Sequence, residues 1–273
     1  MLIGVRAHDF GSGTFDEFEE IIEKIAGLGF NSVQLAPAKS ITEIGNIEDL
    51  TTEQVVKIRE ILERHNITVS VLGCYLDFTS ELPVVRKESI ATFKKYIDFA
   101  KVLNANMIAT EASYGNYYGE NSKVEYSYLM DCFHEIVPYA ENAGVLVAIE
   151  PVVRHALDTP EITRAFLDHF RSDYLKVLYD QSNLLEADMG DEDDSMFARS
   201  IHSFGADIVA VHLKNFVIED NRQIMCGLTD GIVDLKRIIQ WVSQNRPEAV
   251  FLREDPNGAD IEADLTFIKS NVI

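Results

Sequence analysis

Short, dense apolar runs recur along the chain, and each is followed by a longer stretch with helical spacing. The plainest run is Val145-Leu-Val-Ala-Ile-Glu150-Pro151, apolar until it meets a carboxylate. Such a run reads as a strand buried on both faces, with the acid at its C-terminal tip. Runs of the same kind are Leu2–Arg6, Asn31–Ala36, Ile67–Gly73, Asn106–Glu111, Leu175–Asp180, Ile208–His212 and Val250–Glu254. The first intervening stretch, Phe15–Leu28, places Phe15, Phe18, Ile21, Ile22, Ile25 and Leu28 on one helical face. Thr51–His65, Val85–Leu103, Val124–Asn142, the segment opening at Asp158–Glu161, the segment from Asp191–Asp194 to Gly205, Val233–Gln244 and Ile261–Ser270 supply the other helices. Thr14 or Ser12 caps the first and Thr51 or Thr52 the second; Thr159 caps the fifth, with Pro160 at its opening position.

Eight strands alternating with eight helices, at intervals of roughly 30 residues, form the pattern of parallel βα units. Right-handed crossovers close eight such units into one (β/α)8 TIM barrel, predicted here to occupy 1–273 as a single domain. An open doubly wound sheet is the other architecture the alternation allows. Three stretches are predicted to be irregular: Ala36–Asp49, Ala112–Lys123 and Phe216–Gly231. They follow strands two, four and seven, on the face where a barrel keeps its active site.

Composition narrows the partners. With 24 Lys and Arg against 45 Asp and Glu, the formal charge is −21. Such a chain suits neither a phosphate backbone nor an anionic membrane surface. Cys74, Cys132 and Cys226 are far apart and form no CxxC pair, which fits thiols in a reducing compartment. There is no basic segment leading into a long apolar one at the N-terminus, and no apolar stretch of membrane-spanning length. A soluble, cytoplasmic protein is expected.

The chemistry collects at the strand tips. Glu150, Asp180, His212 and Glu254 end strands five to eight, which a barrel makes neighbouring staves. Three carboxylates and an imidazole form a hard O/N donor set, suited to Mn²⁺ first and also to Mg²⁺, Co²⁺, Fe²⁺ or Zn²⁺. Three buried acids with no cation would be costly, and one divalent ion resolves that cost. His8, Glu111 and Lys214 also lie at the barrel mouth, and Arg154 and His155 follow Glu150 closely. His8, Glu111, His155 and Lys214 are candidate substrate contacts. Tyr114, Tyr117 and Tyr118 are placed to stack on a bound ring or to pack their loop. The acidic run Asp191–Asp194 is expected to decorate a helix N-terminus.

The series Ile149-Glu-Pro151, Tyr179-Asp-Gln-Ser-Asn-Leu184, Val211-His-Leu-Lys214, Gly227…Asp230-Gly231…Asp234 and Leu252-Arg-Glu-Asp-Pro256 resembles the xylose isomerase-like barrel superfamily. Within it, the likeness is to the sugar phosphate isomerase/epimerase group, which includes ketose 3-epimerases and inosose dehydratases. The resemblance implies one divalent metal held by Glu150, Asp180, His212 and Glu254, with Glu150 and Glu254 as the proton-transfer pair. It further implies a small-molecule carbohydrate substrate, with neither nucleic acid nor membrane as partner; a homo-oligomer is allowed. The sequence departs from the ketose epimerases at Asn183, where they carry a histidine. It departs from the abasic-site endonucleases of the same superfamily at Asp230-Gly-Ile232, where they need Asp-x-His. A metal-dependent isomerase or epimerase is the expected activity. A dehydratase on the same site, or a barrel that binds sugar without turnover, are the alternatives.

Overall fold

The computed structural model describes residues 1–112, 122–256 and 260–273. Ten strands form there: β1 (Ile3–Arg6), β2 (Ser32–Leu35), β3 (Thr68–Gly73), β4 (Met107–Glu111), β5 (Leu146–Glu150), β6 (Leu175–Tyr179), β7 (Ile208–Leu213), β8 (Asn215–Glu219), β9 (Arg222–Cys226) and β10 (Val250–Arg253). Eight of them close into a barrel in the order β1-β10-β7-β6-β5-β4-β3-β2, every neighbouring pair parallel. The predicted (β/α)8 barrel is therefore the fold.

The helices are α1 (Phe15–Gly27), α2 (Pro37–Ser40), α3 (Thr52–Arg64), α4 (Pro83–Leu103), α5 (Ser122–Ala143), α6 (Pro160–Phe170), α7 (Asp193–Phe204), α8 (Leu235–Asn245) and α9 (Ile261–Asn271). Of the alternative caps, Thr14 and Thr51 are the ones used, each in a reciprocal capping box, with Glu17 and Gln54. Thr159 caps α6 ahead of Pro160, and Asp193 and Asp194 lie in the first turn of α7. Among the described residues no helix is long and apolar enough to cross a membrane.

Two readings of the chain need correction. The stretch Phe216–Gly231 is not wholly irregular: β8 and β9 form an antiparallel hairpin within it, turning at Asp220 and Asn221, both with positive φ. The stretch Ala36–Asp49 likewise holds α2 and two short 3₁₀ turns, Thr42–Ile44 and Ile47–Asp49. The loop tyrosines Tyr114, Tyr117 and Tyr118 lie outside the described residues.

Side chains alternate between the two faces of each strand, and this places the site. Outward rows such as Val147 and Ile149 join the large core between strands and helices. Inward rows form a separate apolar cluster that fills the barrel: Val71, Met107, Ala109, Ala148, Leu178, Ala210, Val250 and Leu252. Two residues further along each inward row comes the next inward side chain. By that parity Glu111, Glu150, Asp180, His212 and Glu254 all fall on the inner face, at the end where the apolar filling stops.

Candidate active site

Glu150 ends β5, Asp180 follows β6 directly, and His212 is the penultimate residue of β7. All three are buried, and each offers a ligand atom within 4.8 Å of the other two. His212 Nδ1 stands at their meeting point, 3.3 Å from Glu150 Oε1 and 3.7 Å from Asp180 Oδ2. Glu254 stands at the edge of this trio. Its Oε2 lies 3.3 Å from His212 Nδ1 and accepts a hydrogen bond from Lys214 Nζ at 3.1 Å, while Oε1 accepts one from Arg6. Lys214 also reaches Asp180 Oδ2 at 3.1 Å.

The charges explain the proton states. Burial alone would pull the His212 imidazolium down, but Glu254 and Glu150 facing it hold it well above its ordinary value. Burial likewise opposes a charged Lys214, and Asp180 and Glu254 overcome it, raising the amine. For Glu254, burial pushes upward, yet His212, Lys214 and Arg6 together bring its carboxyl well below the usual range. Glu111 goes the other way. It pairs in register with Glu150, and burial, then Glu150 and Glu254, push it up to about 8.

Asn183 ties the trio together. Its side-chain Nδ2 donates to Glu150 Oε1 at 2.6 Å, and its backbone N–H donates to Asp180 Oδ1 at 3.1 Å. Its carbonyl accepts from Val153 N–H at 2.8 Å, which stitches the loop after β5 to the loop after β6. Beside it opens a cavity of about 290 Å³, lined by Val153, Arg154, Asn183, Glu186 and Gln223 among others.

The other candidates are spread around the rim. Lys214 sits inside the cluster. Glu111 faces His155, with Oε2 and Nδ1 3.8 Å apart. Burial lowers His155 to about 4. His8 lies on the far side, lowered to about 3 by burial and then by Arg6 and Lys39. His134 and His169 meet edge to face on the outer helices, and His65 contacts Glu19.

The donor set can be tested against a metal. Asp180 Oδ2 is buried and, although close to Lys214 Nζ, accepts no hydrogen bond of good geometry among the described residues. A buried anionic oxygen with spare coordination, next to a second carboxylate and an imidazole, fits a divalent cation.

Residues 8–271 match the family model described as the xylose isomerase-like TIM barrel. The chain belongs to that family. No curated protein matches the sequence. Among solved structures, this xylose isomerase-like barrel is similar to a D-psicose 3-epimerase from Clostridium cellulolyticum H10, solved with D-tagatose. Identity there is 18%, coverage 100% of this chain and 99% of that one, and TM-score 0.77. It is similar to a xylose isomerase-like barrel protein from Mycobacterium smegmatis in complex with magnesium, at 15% identity, 100% and 97% coverage and TM-score 0.74. It is similar also to a probable 3-DHS dehydratase from Bacillus anthracis, at 19% identity, 98% of both chains and TM-score 0.70. At these identities the likeness is one of fold.

Three residues linked to this cluster escaped the strand-tip reading: Arg6, Gln34 and Tyr75. Arg6 ion-pairs with Glu254, Asp9 and Asp255. Gln34 is fully buried, with Oε1 2.6 Å from His212 Nε2, and its Nε2 donates to Tyr75 Oη. Parity was the available signal. Gly4-Arg6, Ser32-Gln34 and Gly73-Tyr75 are inward rows that turn polar just as Ala148-Glu150 does.

Proposed function

We propose that this barrel is a divalent-metal-dependent sugar isomerase or epimerase, moving a proton beside a carbonyl through an enediolate. One observation carries the reading: three buried ligand atoms, from Glu150, Asp180 and His212, lie within 4.8 Å of one another at the barrel mouth. These residues would hold the ion, with Glu254 as the fourth ligand. Their O/N character suits Mn²⁺ first, with Mg²⁺, Co²⁺, Fe²⁺ and Zn²⁺ as further candidates. A bound ion would polarise the substrate carbonyl and favour the enediolate. The magnesium complex of one solved relative and the epimerase activity named for another support the reading.

The chain's own groups then divide the work. Glu254, kept ionised by His212, Lys214 and Arg6, is one carboxylate of the proton-transfer pair. Glu150 is aimed by Asn183 Nδ2 and is the second carboxylate of the pair, so one group can take a proton that the other returns. Glu111, pushed up to about 8, would in its protonated form donate a hydrogen bond to a substrate oxygen. His8, His155 and Lys214 complete the polar rim that would receive the hydroxyls of a carbohydrate.

The test is deuterium uptake from solvent by a panel of ketoses and inososes, with Mn²⁺ present. Exchange with a change of stereochemistry is the expected result. Glu150→Gln and Glu254→Gln should each lower it about 10²–10⁴-fold. Full turnover by Glu254→Gln would sink the two-base mechanism. Loss of water instead of epimerisation would make the protein a dehydratase on the same site, and silence across the panel would favour a non-catalytic binder.

A further inference from the structure

Gln34 is an unusual residue for its place. It sits in the middle of β2, whose four residues are all buried, and it is itself fully buried. A buried carboxamide must find partners for a carbonyl and an amine. It finds both along the inner face. Its Oε1 lies 2.6 Å from His212 Nε2, and its Nε2 donates to the hydroxyl of Tyr75. The Tyr75 ring is seated in turn against Gly73, where an added Cβ would come within 2.8 Å of it, and the ammonium of Lys39 lies 4.7 Å from the ring centre. The row Gly73-Tyr75 thus holds Gln34 from one side while His212 holds it from the other.

The orientation of that carboxamide decides what His212 can do. A carbonyl facing Nε2 requires a proton on Nε2. The imidazolium carries a proton on both nitrogens; when a cation displaces the Nδ1 proton, the lone pair falls on Nδ1, the nitrogen that faces Glu150, Asp180 and Glu254. An amine facing Nε2 would force the opposite tautomer. It would put an N–H among the carboxylates and leave no imidazole ligand there. In this structure the Tyr75 hydroxyl receives the amine, which leaves the carbonyl for Nε2.

We infer that Gln34 is a positioning residue that fixes the Nε2–H tautomer of His212, and that the Tyr75 hydroxyl steadies Gln34 by holding its amine end. The inference rests on reading Glu150, Asp180 and His212 as a metal centre. A hydrogen bond to the distal nitrogen of a ligating histidine is worth roughly 10–100-fold in metal affinity.

The experiment measures Mn²⁺ binding by calorimetry on the whole protein, with imidazole ¹H–¹⁵N correlation spectra of the metal-free protein alongside. Gln34→Leu should weaken Mn²⁺ binding roughly 10–100-fold. Gln34→Glu, which can only accept, should keep affinity near that of the parent. Tyr75→Phe should fall between them. In the spectra, the slowly exchanging Hε2 proton of His212 should persist in Gln34→Glu and be lost or shifted in Gln34→Leu. Unchanged affinity and an unchanged His212 signal in Gln34→Leu would overturn the inference. Should the parent protein bind no Mn²⁺ at all, the metal reading fails, and the His212 signal alone decides the role of Gln34. A cooperative urea transition for each variant separates loss of the hydrogen bond from loss of the fold.

Discussion

His155 shows how one side chain makes the protein sensitive to acid. Burial holds it neutral, with its pKa down at about 4 against an ordinary 6.5. Between those values the unfolded chain binds a proton that the native state refuses, so native stability must fall as the pH drops. The penalty is absent above about 6.5, grows toward 4 and is constant below, reaching on the order of 3 kcal/mol. Urea midpoints measured from pH 7.5 to 4 should fall more steeply for the parent than for His155→Gln. The site itself was only partly legible at this scale. Glu150, Asp180, His212 and Glu254 stood out because an ionisable group ending an apolar run is conspicuous. Gln34 did not, because nothing local in Ser-Val-Gln-Leu tells that its partner lies 178 residues away. Glu254 is the residue whose surroundings the sequence conveyed least. The charge of Arg6, drawn to it from the first strand, comes into view only once the barrel is closed.

Elements were legible where local physics decides them. Thr14, Thr51 and Thr159 announce helix starts because a side-chain oxygen must satisfy a free backbone N–H there. Thr51→Ala should therefore cost about 1 kcal/mol, read as a lower urea midpoint with an unchanged slope. The hairpin β8–β9 was not legible as such, because its outward residues mix polar and apolar types and its strands are only partly buried. The Asp220-Asn221 turn, with positive φ at both positions, was the clue. What fastens the hairpin is Asn215, which donates to the carbonyls of Leu228 and Val233 and accepts from the N–H of Phe216 and Val233. Gly231 lies so close that a Cβ there would sit 2.2 Å from Asn215 Oδ1 and 2.6 Å from the Phe216 carbonyl. With Asn215 held by four hydrogen bonds it has no room to retreat. Gly231→Ala should destabilise by roughly 1–3 kcal/mol and speed hydrogen exchange across the hairpin.

For the molecule as a whole, the alternation of run and helix was enough to give parallel βα units, because strand burial, crossover handedness and period-two alternation all act together, and the pairing of β1 with β10 decides for a closed barrel over an open sheet. A ligand shared by β5, β6 and β7 should stabilise the entire wall. Mn²⁺ at 100 times its dissociation constant should add about 2.7 kcal/mol to unfolding, and chelation should remove it, as read by thermal denaturation in each condition.

The seam between β1 and β10 has a consequence for synthesis. β10 is inserted between β1 and β7, and Arg6 meets Glu254 across that join. A nascent chain that has passed Leu213 but not yet reached Val250 carries two bare strand flanks, each a row of unanswered N–H and C=O groups open to other chains. Pairings between such distant segments are also slow to form. The final stave to leave the ribosome both seals the wall and delivers the last carboxylate, so the newborn protein gains resistance to aggregation and a complete cluster in one step.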